Sequence, residues 1–330
     1  MAPEPQLPEG VSEYLFQNVC NGNIHGKGPW IFPDIRSFKP KCHFVHHFNP
    51  FLKISPFLLE VKFHSPVRTI FHDIFFTKEI DWIIKHVKPK LTKLREDVSR
   101  VHDRQRDSDL VEAWSKNVFA VKLATTTTFR DIKYNEKERY YKTNSDDRPL
   151  AYSTLPLKNP YGFEIEHMIM LKISRRIELA TNLNLTTLHG SSEYQATNYG
   201  LSGMTVAHQD PLGYESGVPL IKAEKSLIRS GDYIGTFMGC LDDTTAGGKI
   251  AFTSKQFEGI DEPKKGSAAF WINLSSCHQK DYRSTHVGCP VLKGSKWILN
   301  KWAYSWDQSK KWPCKLYPMI SMSPFNGMSV

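Results

Sequence analysis

The 330-residue chain has six cysteines, Cys20, Cys42, Cys240, Cys277, Cys289 and Cys314, and no CxxC pair. Zinc-ribbon and thioredoxin-type motifs are therefore absent. The cluster Cys42, His43, His46 and His47 matches no standard finger spacing. No apolar run approaches the ~20 residues of a membrane span, so none is expected. The opening MAPEPQLPEG has no charged stretch followed by an apolar one, and no signal peptide is legible. That alone leaves a cytosolic protein or a sequence lacking its true start. No internal repeat is apparent. The net charge of +9 raises nucleic-acid binding, but its basic clusters, such as Arg175-Arg176 and Lys310-Lys311, are short and scattered. A solvated basic surface, or affinity for acidic partners, is the expectation, with no nucleic-acid partner. Widely spaced cysteines in a chain this long fit disulfides or buried thiols equally well.

What is present suits a globular protein with a sizeable core: 40% hydrophobic, 23% charged and 12% aromatic residues. Residues 1–65, rich in Pro, His and Phe, read as an irregular, Cys-containing linker. Residues 66–330 read as the main domain. Val67 to Ile74 reads as a strand. Thr77 is placed as the cap of a helix with Ile80, Ile83, Ile84 and Val87 on one face, stopped or kinked by Pro89. Residues 96–150 suggest two strands around a mobile loop that includes Thr143 to Asp147. Ile165, Ile169, Ile173 and Ile177 recur every fourth residue and predict a core-facing helix within residues 161–180. From Glu193 onward, short apolar runs alternate with turns at Asn198-Tyr199-Gly200, Ala246-Gly247-Gly248, Lys264-Lys265-Gly266 and Lys293-Gly294-Ser295. That texture argues for a sandwich or jelly roll.

His208-Gln209-Asp210 carries the chemistry. On an extended backbone, side chains two apart share a face about 6.6 Å apart, so an imidazole and a carboxylate can converge on one metal. His286 downstream completes two histidines and one carboxylate, a set that leaves coordination positions open for a 2-oxo acid and O₂. In the strand Lys296 to Trp302, alternation puts Lys296, Ile298, Asn300 and Trp302 on one face. If that face looks inward, Lys296 is a buried cation in need of an anion. The distal carboxylate of 2-oxoglutarate would be one.

The ordered set resembles the catalytic domain of the collagen prolyl 4-hydroxylase alpha subunit. It comprises Tyr194 to Gly200, His208-Gln209-Asp210, Ala246-Gly247-Gly248, Pro263 to Leu274, and His286 through Cys289-Pro290-Val291-Leu292 to Asn300-Lys301-Trp302. Phe71-His72-Asp73-Ile74 and Lys88-Pro89-Lys90-Leu91 extend the likeness, which reaches from about Cys20 to Cys314. The resemblance implies an α+β fold, a double-stranded β-helix core over about 190–305 with supporting N-terminal helices. It implies Fe(II), 2-oxoglutarate and L-ascorbate, with hydroxylation of prolyl residues in collagen-like peptides. It also implies pairing with protein disulfide isomerase and residence in the endoplasmic reticulum lumen. Residue by residue, His208, Asp210 and His286 correspond to iron ligands, Lys296 and Tyr199 to 2-oxoglutarate contacts, and Trp302 to a peptide-groove residue. Cys289 with Cys314, and Cys20 with Cys42, correspond to disulfides. Three positions depart from the family: Thr205 replaces a Tyr, Tyr233 an Arg at a peptide contact, and Ile250 a Thr near the distal 2-oxoglutarate carboxylate. These departures leave open a divergent relative with another peptide substrate, or a catalytically weak or inactive interaction subunit.

Overall fold

In the computed structural model the described residues are 20, 41–45, 50–64, 66–93, 121–129, 132–133, 164–165, 168–187, 189–211, 230–253 and 259–314. The elements in chain order begin with β1 (Lys41–Val45), α1 (Pro50–Ile54), β2 (Phe57–His64), β3 (Val67–Phe71) and α2 (Thr77–Val87). Next come β4 (Thr92–Lys93), β5 (Val121–Phe129), β6 (Ile132–Lys133), β7 (Glu164–Ile165) and α3 (Met168–Thr181). The C-terminal part is β8 (Tyr194–His208), β9 (Tyr233–Cys240), β10 (Ala246–Gly247), β11 (Ile250–Phe252), β12 (Gly259–Asp261), β13 (Ala268–Ile272), β14 (His286–Gly288), β15 (Val291–Lys293) and β16 (Lys296–Tyr304). The protein is sheet-rich with few helices. A twelve-stranded sheet runs β1-β2-β3-β13-β9-β16-β8-β14-β11-β12, with β5 pairing β8 from its other edge and β4 pairing β5. Pairs β10-β15 and β6-β7 stand apart.

Period-two alternation sorts the central strands between two cores. Phe237 of β9, Phe270 and Ile272 of β13, and Trp297 and Leu299 of β16 join a large core with α2 and α3. Their alternates, Met238, Ala269, Trp271 and Ile298, join a smaller core with Tyr199, Ile250, Phe252 and Val291. The candidate site borders this second core. An isolated eleven-residue helix is marginal in water. Ile80, Ile83 and Val87 of α2 are buried, and each contributes roughly 1.5–3 kcal/mol. That burial, not propensity, holds the helix.

Several expectations change. Thr77 is the first helical residue, not the cap. Phe76 takes the cap position, and its backbone N–H donates to Glu79 Oε2 at 2.9 Å. Glu79 also receives both arms of Arg176 at 2.7 and 2.8 Å, tying α2 to α3. The helix expected within 161–180 begins at Met168, and Ile165 belongs to β7. Ile173 and Ile177 face the core as expected. Residues 41–45 and 57–64 are not irregular: β1 pairs β2 and β2 pairs β3, because alternating Leu59 and Val61 bury one face in the large core. Asn198-Tyr199-Gly200 lies within β8 rather than in a turn. The other three turns contain glycines at positive φ, among them Gly266 and Gly294 at 86°, which side chains rarely tolerate. The loop around residues 143–147 lies outside the described residues.

The cysteine pairing is also corrected. Cys20 is bonded to Cys289, with Cα atoms 5.8 Å apart, inside the range a disulfide spans. Cys289 therefore cannot pair with Cys314, nor Cys20 with Cys42. Cys42 sits exposed on β1 opposite Glu60, and Cys314 is exposed beyond β16. Non-reducing peptide mapping is expected to recover a Cys20–Cys289 cross-link, with Cys42 and Cys314 alkylated separately. A Cys289–Cys314 peptide would contradict this pairing.

Candidate metal centre

Antiparallel pairing of β8 with β14 sets His208 opposite His286. Their ring centroids lie 4.3 Å apart. The strand ends at His208, and Asp210 comes two residues later, outside the ladder. The expected extended geometry therefore does not bring Asp210 in; the bend after His208 does. Asp210 Oδ1 lies 3.6 Å from His208 Nε2 and 3.9 Å from His286 Nε2. One ligand atom from each residue falls within 4.8 Å of the others. Two imidazole nitrogens and a carboxylate oxygen at this spacing suit a divalent first-row metal on one face of its coordination sphere.

Neighbouring groups orient each member. Thr236 on β9 donates its hydroxyl to Asp210 Oδ2 and accepts from Asn273 Nδ2 at 2.7 Å. His286 Nδ1 lies 3.0 Å from the Ser284 carbonyl. A carbonyl only accepts, so Nδ1 carries the proton and Nε2 keeps its lone pair toward the centre. The segment before His286 is shaped by Asp281, whose two oxygens take Arg283 Nε at 2.8 Å and Nη2 at 2.6 Å. Gln209 Nε2 reaches Thr285 Oγ1 at 3.2 Å, linking the ends of the two ligand-bearing segments. Trp271 and Phe252 wall His286, with centroids 4.7 and 5.7 Å from its ring. Burial alone would raise the Asp210 carboxyl. His286, His208 and the Thr236 hydroxyl outweigh burial and hold it well below the usual carboxylate range.

β16 carries two buried lysines on opposite faces. Lys301, on the large-core side, is 1% exposed. Its ammonium donates to the Ser192 carbonyl at 3.2 Å and sits 4.0 Å over the Tyr194 ring. Lys296, on the small-core side, is 5% exposed. Among the described residues its ammonium has no carboxylate and no hydrogen-bond partner. Burial pulls its pKa down to about 8, against a weaker upward pull from Cys240. Tyr199 stands directly opposite Lys296 in the β8–β16 ladder, 8% exposed. The face is continuous: the registers pair Ile298 with Cys240, Asn300 with Met238, and Trp302 with Thr236. Thr236 touches Asp210, and Cys240 lies four residues away, about 13 Å along the strand. Lys296 and the triad thus occupy the two ends of one face.

The remaining expected residues divide. Tyr233 stacks on Trp302, with centroids 5.5 Å apart, and on Tyr304 at 5.3 Å. This places three aromatic rings beside the triad end of the face. Thr205 turns its hydroxyl against Gly288, where a Cβ would collide with it. Ile250 is buried in the small core and offers no donor. Thr236, Asn273, Ser284 and Tyr304 were missed in the sequence. Alternation from Trp271 would have placed Asn273 on the inner face, but nothing in the sequence links Thr236 to Asp210.

Two outcomes test this arrangement. Thr236→Val is expected to weaken Fe(II) or Co(II) binding about 10–100-fold, measured by chelator competition. An unchanged affinity would remove Thr236 from the centre. For Lys296, the folded pKa lies below the ordinary 10.5. Between about pH 8 and 10.5 the unfolded chain holds a proton that the folded chain has released. Stability should therefore rise with pH across that window, by on the order of 3 kcal/mol. The buried Cys240 thiol is pushed up and acts in the opposite sense at high pH. The difference between native and Lys296→Met urea midpoints isolates the lysine. The variant is expected to be the more stable below pH 8, with the gap closing by pH 10.5.

No protein-family model matches the chain. It is 29% identical over 266 residues to the chicken (Gallus gallus) prolyl 4-hydroxylase subunit alpha-2, covering 81% of this chain and 39% of that protein. It is 34% identical over 151 residues to the human (Homo sapiens) subunit alpha-1, covering 46% of this chain and 26% of that one. A viral collagen prolyl hydroxylase from Paramecium bursaria Chlorella virus-1, solved with 2-oxoglutarate, aligns at TM-score 0.43 and 17% identity, over 72% of this chain and 95% of that one. The chain spans 39% or less of these two curated relatives. Over most of its own length it is similar to prolyl 4-hydroxylase alpha subunits.

Proposed function

We propose that the chain is an Fe(II)- and 2-oxoglutarate-dependent dioxygenase of the prolyl 4-hydroxylase kind, with a double-stranded β-helix core at about 190–305 within a domain of residues 66–330. The observation that carries this reading is a single inner face with His208, Asp210 and His286 at one end and an unpaired buried ammonium, Lys296, at the other. A dicarboxylic 2-oxo acid suits that pairing of a metal-ligand set with a buried cation. Its 2-oxo acid end would lie at the triad and its far carboxylate would neutralise Lys296, with Tyr199 beside it.

Iron, when bound with 2-oxoglutarate and O₂, supplies the oxidising chemistry of this reaction class. The protein's part is geometric. His286 presents Nε2 because Ser284 holds its other nitrogen, and Asp210 stays ionised and aimed because Thr236 and both imidazoles favour its charged form. Trp271, Phe252 and the small core keep water from the His286 side. L-ascorbate would keep the metal reduced.

The substrate reading is a prolyl residue in a proline-rich or collagen-like peptide. Trp302 and Tyr233 offer flat rings that suit a pyrrolidine ring. Trp302 Nε1 is buried without a hydrogen-bond partner among the described residues, and a peptide carbonyl would satisfy it. Thr205, beside the β14 ladder, is a further substrate-side candidate. Similarity to alpha subunits supports protein disulfide isomerase as a partner and the endoplasmic reticulum lumen as the location. No helix among the described residues is long and apolar enough to cross a membrane.

The test is succinate release with Fe(II), ascorbate and a panel of proline-rich and lysine-containing peptides, comparing the native chain with His208→Ala. Native turnover is expected on proline-rich peptides, with the variant at least a hundredfold lower. Equal signals from both proteins would remove the enzymatic reading.

A further inference from the structure

Lys296 lines a cavity of about 280 Å³ with Cys240, Thr244, Gly247, Gly248 and Pro263, and with the exposed Asp243, Glu262 and Lys264 at its rim; Asp243 Oδ1 already accepts from the Lys265 N–H at 2.8 Å. No member of the metal triad lines it. Gly248 has φ +66°, and a Cβ there would lie 3.2 Å from Thr244 Oγ1 and 3.3 Å from Lys296 Cδ. The hydroxyl and the lysine stem therefore flank one small space that only glycine leaves open. The Gly248 N–H is committed to the Pro290 carbonyl at 2.8 Å. The Cys240 thiol is committed to the Asp242 carbonyl at 3.1 Å. Among the described residues, the Thr244 hydroxyl has no such commitment. A buried cation without a partner needs an anion, and a hydroxyl beside it can complete the carboxylate's hydrogen bonding.

The geometry points to Thr244 as the donor that, with Lys296, seats the end carboxylate of a small dicarboxylate above Gly248. The identity of the physiological ligand rests on the proposed dioxygenase reading; the seat does not. Ile250 is buried in the small core and brings no donor, so Thr244 takes the role that a hydroxyl on β11 would have had.

Glutarate, which lacks the 2-oxo group needed to chelate iron, probes the seat directly. Its binding to the metal-free full chain is measured by ligand-observed NMR, with displacement by 2-oxoglutarate. Thr244→Val is expected to weaken glutarate about tenfold or more, and Thr244→Ser to restore it to within about threefold. With Fe(II), Thr244→Val should raise KM for 2-oxoglutarate more than it lowers kcat. No glutarate binding by the native chain, or equal binding by Thr244→Val, overturns the assignment. If glutarate binding depends on Thr244 but the native chain turns over no 2-oxoglutarate, the seat stands and the dioxygenase reading falls.

Discussion

Two registers on one edge of β8 hold the candidate centre together. At its C-terminal end β8 pairs β14, which sets His286 opposite His208. At its N-terminal end it pairs β16, which sets Lys296 opposite Tyr199. Because strand side chains alternate with period two, a one-residue slip of either partner would turn its functional residue to the opposite face. The large core resists such a slip: Trp297 and Leu299 of β16 are buried there, and exchanging faces would place Lys296 among them. Packing on one side of the sheet thus fixes chemistry on the other. Asp210, beyond the end of β8, depends instead on the Asn273–Thr236 relay from β13 and β9.

The buried charges follow a consistent logic. Lys301 and Lys296 lie on the same strand at nearly equal burial, yet only Lys301 has its hydrogen bond and aromatic contact. A third buried cation, Arg68, is balanced by Asp261 at 3.4 Å and lies 4.6 Å over the Phe252 ring. Burial lowers the pKa of Arg68 and raises that of Asp261, and their mutual attraction offsets part of that cost. Against these, an ammonium left unpaired beside a cavity stands out. A ligand that supplied an anion there would recover that cost.

The N-terminal strands extend this framework. β3 lies against β13, and β1 and β2 continue the sheet from it. Phe71 and Ile74 enter the same core as α2 and α3, so the helices brace the sheet from the face opposite the metal residues. Cys20 is tied by its disulfide to Cys289, just after β14 and close in sequence to His286. A covalent tie there restrains the strand that delivers one imidazole.

Much of the site was legible in the sequence because the relevant signals are local. The alternation of Lys296 with Ile298 and Trp302 and the Ile173–Ile177 stripe rest on periodicities of 2 and 3.6, whereas His208-Gln209-Asp210 was legible as a short motif although a bend, not the strand period, brings Asp210 in. Gly247, Gly266 and Gly294 marked turns because their backbone angles exclude most side chains. Tertiary structure alone decided the rest. Strand pairing across long sequence gaps drew residues 41–45 and 57–64 into the sheet and kept Asn198-Tyr199-Gly200 in β8. Which cysteine meets Cys289 depends on where the chain passes in space, and spacing along it could not select Cys20. The Thr236 hydroxyl on Asp210 and the Thr244 hydroxyl beside Lys296 are contacts between segments joined only by folding, so no local pattern encodes them.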